Sequence, residues 1–317
     1  MNPRSFEEIT DNISRCLELA ILLEISAHPK PGNVHRTSDF QETRYEHFLA
    51  SAVAVAPHFK HAAKQGIRVT DGEISSNDIG IGRMIKDAVK NVSLWQSDGN
   101  TLLGAIILLL PIATAAGMFA NEKYSIANLK KNLKIIVESS TAMDAIEVYD
   151  AILIAKPGGL GKAPKLDVND PASKQEILSE RVTLYEVFKI ASAYDSITSE
   201  WVNNYPITLD LGYPYFMQQL EEIKDINTVT VHTFLKILSE VPDTAIARKA
   251  GLKKAKEVSA EAKQVLEKGG LTTLLGRDLL LIFDQNLRDP ANRLNPGTTA
   301  DITEAVLAVS ILGGYRP

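Results

Sequence analysis

The sequence predicts an all-α protein, a single large multi-helix domain over residues 1–317 with one buried central helix. Three features carry that prediction. Apolar residues recur at helical spacing through most of the chain, and alternating apolar and polar runs of strand length are nearly absent. Residues 99–121 (GNTLLGAIILLLPIATAAGMFAN) hold no charge, so a helix there has no polar face to turn toward water. No internal repeat or low-complexity linker interrupts the pattern, and the loops at 68–77, 156–172 and 205–214 are too short to separate domains.

The first helix opens at Ser5. With Glu8 it forms a capping box, in which each side chain satisfies a backbone N–H of the helix start. Ile9, Ile13, Cys16, Leu17, Ala20 and Leu23 then share one face. The helix must stop by His28, because the residue before a proline is pushed out of the α region. Pro29 and Pro31 stiffen the following turn, and Gly32 lets it bend. Helices are predicted next over 43–65 and 78–94, broken by SDGN before the apolar stretch that starts at 100. That stretch is long enough to span a membrane, but Pro111, three glycines and the lack of a second such segment favour a buried helix. Residues 125–155 give one or two helices, and KPGGLGKAPK (156–165) is a loop because glycine and proline leave no helix interior intact. Later helices are predicted over 173–204, with a break near Ser192, and over 228–240, 243–268, 271–288 and 298–312.

Bulk properties narrow the function classes. A chain of 317 residues, 45% hydrophobic and 23% charged, can bury a sizeable core as a soluble protein. The formal net charge of -5 disfavours capture of nucleic acid or an anionic membrane. Cys16 is the only cysteine, so one chain builds neither a disulfide nor a cysteine-based zinc site, and a cytoplasmic location is expected. The opening MNPRSFEEIT has acids and no apolar core, unlike a signal peptide.

Four segments join a helix break to polar groups. In His28-Pro29-Lys30-Pro31-Gly32-Asn33, a cation sits on a rigid turn. Lys30 either faces an anion there or caps the last carbonyls of the first helix. In Asp98-Gly99-Asn100-Thr101, the polar groups are either the N-cap of the apolar helix or part of a phosphate site at its positive end. In Pro242-Asp243-Thr244, Asp243 can cap a helix whose Arg248 and Lys249 suit phosphate or belong to a solvated charged face. In Asn295-Pro296-Gly297-Thr298-Thr299-Ala300-Asp301, Thr298 is a cap candidate, and Asp301 completes that cap or faces a cation. Asp144, Glu147 and Asp150, and then Asp195 and Glu200, lie on helices among apolar residues. They are candidates for Mg²⁺, for proton transfer or for buried ion pairs. His58 and His61 form an HxxH without a third ligand nearby, a weak metal signal. There is no P-loop, and GGLG at 158–161 follows no strand, so a dinucleotide fold is disfavoured.

Taken together, PKPGNV, GNT followed by LGAIILLLP, PDTAIARKAG and NPGTTAD resemble the triphosphoribosyl-dephospho-CoA synthase family, in the family's order over residues 28–311. The resemblance implies an all-α transferase that moves the triphosphoribosyl group of ATP to the 2′-hydroxyl of 3′-dephospho-CoA and releases adenine, with Mg²⁺ accompanying the ATP. Leu102-Leu103 stand where the family's bacterial members carry a His-Lys pair, and GNTLLG, AKPGGLG and the D-x4-E of Asp195 and Glu200 look closer to an archaeal-type branch. That departure leaves open another ribosyl acceptor, for instance in methanopterin biosynthesis. A Mg²⁺-dependent N-glycosidic hydrolase and a non-catalytic nucleotide sensor are the competing classes.

Under this resemblance the nucleotide-binding residues are expected to be Lys30, Asn33, Asn100, Thr101, Arg248, Lys249, Thr298 and Thr299. The catalytic acids are expected to be Asp195, Glu200 and Asp301, and the Mg²⁺ ligands Asp144, Asp195 and Asp301. Replacing Lys30 by alanine should then weaken ATP binding with little loss of melting temperature. Small-molecule substrates are the expected partners, with no nucleic acid and no membrane, and a homodimer is left open.

Overall fold

The computed structural model describes residues 5–97, 99–119 and 124–317. Asp98, named above as a cap candidate, lies outside the described residues. The described residues form fifteen α-helices and three short 3-10 or π segments, with no strand. None of the helices is long and apolar enough to cross a membrane.

The first helix, α1 (Phe6–Ser26), starts on the predicted capping box and ends before the His28–Pro29 turn. The helices α2 (Tyr45–Thr70) and α3 (Ile81–Trp95) follow, then α4 (Leu103–Gly117), α5 (Ile126–Glu138) and α6 (Ala142–Ala155). Every residue of α4 except Gly104 is buried, and the helix packs on α1, α2, α3 and α5. Such a helix can only be stable at the centre, since it offers no polar stripe.

Proline inside α4 has a built-in remedy. Pro111 has no N–H to give to the carbonyl one turn earlier, that of Ile107. The buried Trp201 indole donates to that carbonyl instead, at 2.9 Å. The Tyr205 hydroxyl donates to the next one, Leu108, at 3.1 Å. This ties the neighbouring short helix to α4, and with it the residues that open the site.

The stretch 173–204 divides into α7 (Pro171–Glu180), α8 (Leu184–Ala191) and α9 (Ser196–Val202), with the break after Ser192 where expected. Residues 205–214 are not a loop. They form a π-type turn, Ile207–Gly212, which runs into α10 (Tyr213–Ile223). Two prolines and a glycine masked that helix, because Pro206 and Pro214 sit at positions where a helix start needs no N–H. After α11 (Ile226–Glu240), the predicted helix over 243–268 is split into α12 (Thr244–Ala250) and α13 (Leu252–Glu267) by Gly251, whose φ of 91° no helix accommodates. The chain ends with α14 (Leu274–Leu287) and α15 (Gly297–Leu312).

Two buried apolar clusters organise these helices. The larger one surrounds α4; the smaller joins α11, α12, α13 and α14, with Ala27 and Ala300 at its edge. The last helix, α15, is buried nearly throughout and packs on α1, α4, α11 and α12. Its first turn therefore meets the starts of α4 and α12.

Candidate active site

Two helix starts are joined by one buried carboxylate. Asp243 caps α12, its Oδ1 accepting from the N–H groups of Ala245 and Ile246 at 2.8 and 3.0 Å. Its Oδ2 accepts from both the N–H and the hydroxyl of Thr299, each at 2.8 Å. Burial pushes the Asp243 carboxyl upward, and these donors pull the other way. Next to it, the Thr244 hydroxyl donates to the Thr298 hydroxyl at 3.2 Å and accepts from the Ser196 N–H at 3.2 Å. The starts of α9, α12 and α15 are thereby held in one place.

A cavity of about 400 Å³ opens above this junction. Asp195, Arg248, Thr298 and Asp301 line one wall, and Asn100 and Gly104 at the start of α4 lie beside them. The Arg248 guanidinium donates from Nη1 to Asp195 Oδ2 at 2.5 Å, while Asp195 Oδ1 accepts from the Thr198 N–H and caps α9. Asp301 is fixed from across the site, because the Ala105 N–H of α4 donates to its Oδ1 at 3.1 Å. Gly104 leaves it room: a Cβ there would come within 2.0 Å of Asp301 Oδ2. Burial pushes the Asp301 carboxyl well above the usual range, and the charges of Glu24 and Asp243 add to that. Apolar and aromatic side chains, Ile152, Val187, Ile190, Tyr149 and Tyr194, complete the lining together with the loop from Gly159 to Val168.

Several of the residues singled out by sequence meet here. Asp195, Asp301, Arg248, Thr298 and Asn100 are cavity residues. The Asn100 side chain accepts from the Leu103 N–H at 2.9 Å, so it also serves the helix start. Lys249 lies beside them, its stem against Gly158 and Gly159, and burial lowers its pKa. Thr101 lines a separate hollow of about 70 Å³ on the other side of Asn100 and Leu103, and its hydroxyl pairs with Ser51 at 2.8 Å.

Others are employed elsewhere. Lys30 is fully buried and pairs with Glu24 at 2.5 Å, not with the cavity, so the rigid turn drives the cation inward. Asn33 in the same turn donates to the Asn295 side chain at 3.0 Å. Asp144 is filled by structural donors: Oδ1 takes the Gly82 N–H, and Oδ2 takes the N–H and hydroxyl of Thr141, each at 2.8 Å. Glu200 accepts from the N–H groups of Ile207 and Thr208 at 2.8 and 2.9 Å and so caps the start of the π-type turn. Its burial raises its pKa to about 7. Thr299 is consumed by Asp243. Among the described residues no group of three or more His, Cys, Asp or Glu side chains is arranged to hold a metal ion.

Sequence reading missed two buried acids linked by charge to Asp301. Glu304 lies three residues after Asp301 on the same face of α15, and its Oε2 is buried without a hydrogen-bond partner. Glu24 faces it from α1; burial raises Glu24 against the pull of Lys30, and raises Glu304 further through the charges of Glu24 and Asp301. The signal was present, since both acids interrupt otherwise apolar helical faces.

Comparisons with known proteins identify the family. A family model described as CitG: ATP:dephospho-CoA triphosphoribosyl transferase matches residues 10–317. The chain is 23% identical over 308 residues to the 2-(5''-triphosphoribosyl)-3'-dephosphocoenzyme-A synthase of Klebsiella pneumoniae, covering 95% of this chain and 90% of that protein. A crystal structure of an Archaeoglobus fulgidus protein assigned as a triphosphoribosyl-dephospho-coA synthase superposes with a TM-score of 0.62 at 21% identity. It covers 84% of this chain and all of that one, a likeness of fold.

Proposed function

The chain belongs to the ATP:dephospho-CoA triphosphoribosyl transferase family, so it is a transferase, and we propose that the cavity beside Asp195, Arg248 and Asp301 is where the triphosphoribosyl group of ATP passes to 3′-dephospho-CoA. The observation that carries this reading is the convergence in one cavity of an arginine–carboxylate pair and a second carboxyl with apolar and aromatic side chains. Polyphosphate and ribose suit the charged side chains. A purine base suits the apolar part of the lining, where the exposed Tyr194 ring offers a flat surface.

The chemistry makes two demands. As the bond from ribose C1 to adenine breaks, positive charge grows on the sugar, and a carboxylate on the adjacent wall stabilises it. The attacking 2′-hydroxyl must give up a proton to a base within hydrogen-bond reach. Asp195 and Asp301 are the acids placed for these roles, and Arg248 binds phosphate oxygens with the edge not engaged by Asp195. Glu200 and Asp144 serve structure in this reading. The described residues offer Mg²⁺ no resident cage. Asp195 and Asp301 would be the protein carboxylates in reach of a Mg²⁺ ion accompanying ATP, which would neutralise phosphate charge.

The test is incubation of purified protein with ATP, Mg²⁺ and dephospho-CoA, followed by mass analysis. Acceptor-dependent release of adenine, with a matching gain of mass on dephospho-CoA, is expected; adenine release without acceptor would mean a hydrolase instead. One observation favours a second acceptor. Leu103, in place of a polar residue of the bacterial pair, lines the cavity, while Leu102 is buried in the core. A less polar ribosyl acceptor should therefore be assayed in parallel.

A further inference from the structure

The loop KPGGLGKAPK carries three lysines and three glycines, more cation and more backbone freedom than a connection between two helices requires. It is pinned at both ends. Near its start, Gly158 and Gly159 rest on the Lys249 side chain of α12; Gly159 has φ of +79°, and a Cβ there would meet Lys249 Cγ at 2.8 Å. Only glycine lets the chain close down on α12 at that point. At the other end, the Asp167 carboxylate accepts from the N–H groups of Ala163 and Asn169 at 2.7 and 2.8 Å, and the Tyr149 hydroxyl donates to the Leu166 carbonyl.

Between the pins, Leu160, Gly161 and Lys162 run along the cavity. The N–H groups of Gly161 and Lys162 make no hydrogen bond among the described residues, and a Cβ on Gly161 would meet nothing within 4 Å. Lys162 and Lys165 also line the cavity and are exposed, and neither forms an ion pair among the described residues. Asp167, the acid beside them, is turned into its own loop. Arg248 lines the same cavity beside the loop, its Cβ 3.7 Å from where a Cβ on Gly159 would sit.

We propose that residues 156–165 form a polyphosphate-binding loop, in which Lys162, Lys165 and the open N–H groups of Gly161 and Lys162 hold phosphate oxygens together with Arg248. The loop supplies the phosphate cations that the sequence suggested in Lys30, which instead pairs with Glu24. Free N–H groups on a glycine-rich bend and unpaired ammonium groups are the donors that a flexible polyanion needs. Pinning both ends lowers the ordering cost on binding. The choice of ligands rests on the transfer reaction proposed above: the chain is either the triphosphate of ATP or the diphosphate of dephospho-CoA.

The experiment measures binding of ATP, dephospho-CoA and inorganic tripolyphosphate to the full chain and to the Lys162→Ala/Lys165→Ala variant. Lys253→Ala/Lys256→Ala, on the exposed face of α13, serves as the charge control. Each loop lysine should contribute roughly tenfold, so the double variant should bind about a hundredfold more weakly, with unchanged melting temperature. Loss for ATP and tripolyphosphate with dephospho-CoA unaffected places the triphosphate on the loop; the reverse places the acceptor's diphosphate there. Unchanged binding of all three, an equal loss in the control, or no binding of any by the wild type overturns the loop assignment. Wild-type binding of tripolyphosphate but of neither nucleotide would instead sink the proposed transfer reaction while leaving the loop.

Discussion

Arg248 donates to Asp195 across 53 residues of chain, at 2.5 Å, and so locks the start of α9 to α12 on the wall of the cavity. Both side chains keep partial access to water, at 27% and 19% exposure, so the pair contributes no more than about 1 kcal/mol to stability. Its value lies in the reaction. Arg248→Ala should lower kcat/KM for ATP by about a hundredfold while shifting the melting temperature by a few degrees at most. Steady-state kinetics beside a thermal melt check this, and a collapse of the fold with the activity would contradict it.

Lys30 now carries the opposite expectation from the one its sequence suggested. Removing it strands Glu24 as an uncompensated buried charge, which costs about 3–5 kcal/mol. Lys30→Ala should lower the melting temperature markedly. Lys30→Met/Glu24→Gln, which removes both charges at similar volume, should recover most of it. Denaturant titration of the two variants decides; equal losses in both would show that the ion pair is not what matters.

Gly104→Ala would normally strengthen a helix by about 1 kcal/mol. Here the new methyl would fall 2.0 Å from Asp301 Oδ2. The expected result is a protein that melts within a few degrees of wild type but has lost at least tenfold in kcat, because Asp301 is displaced by about an ångström. Full activity in this variant would place Asp301 outside the reaction.

Glu200 links stability to pH. Its folded pKa of about 7 lies above that of an unfolded glutamate, so between these values the folded state binds more protons and stability falls as pH rises. Glu200→Gln has no such proton to lose. The stability advantage of wild type over this variant should shrink by about 3 kcal/mol between pH 4.5 and 8, measured by urea unfolding at several pH values. A constant difference would refute the assignment.

The sequence by itself determined the all-α class and most helices, with those caps whose partners lie close in the chain. Ser5 with Glu8, and Asp243 at the start of α12, are legible because each meets an N–H within three residues; Thr141 with Asp144 is not, since the same acid equally suits a metal ligand. It also determined that α4 lies at the centre, because an uncharged helix has nowhere else to go. It placed Asp195, Arg248 and Asp301 on segments that break helices, and the fold brings those three together.

Only the tertiary structure decided which way each polar group faces. Asp144 and Asp301 look alike in sequence, each an acid in the first turns of an apolar helix. One is saturated by Thr141 and by Gly82, 62 residues away; the other receives a single N–H from α4, 196 residues away, and keeps an oxygen beside the cavity. Lys30 turns inward because Glu24 waits there across the proline turn. A buried polar group goes where its partner is, and those partners come from helices that meet only once the chain has packed.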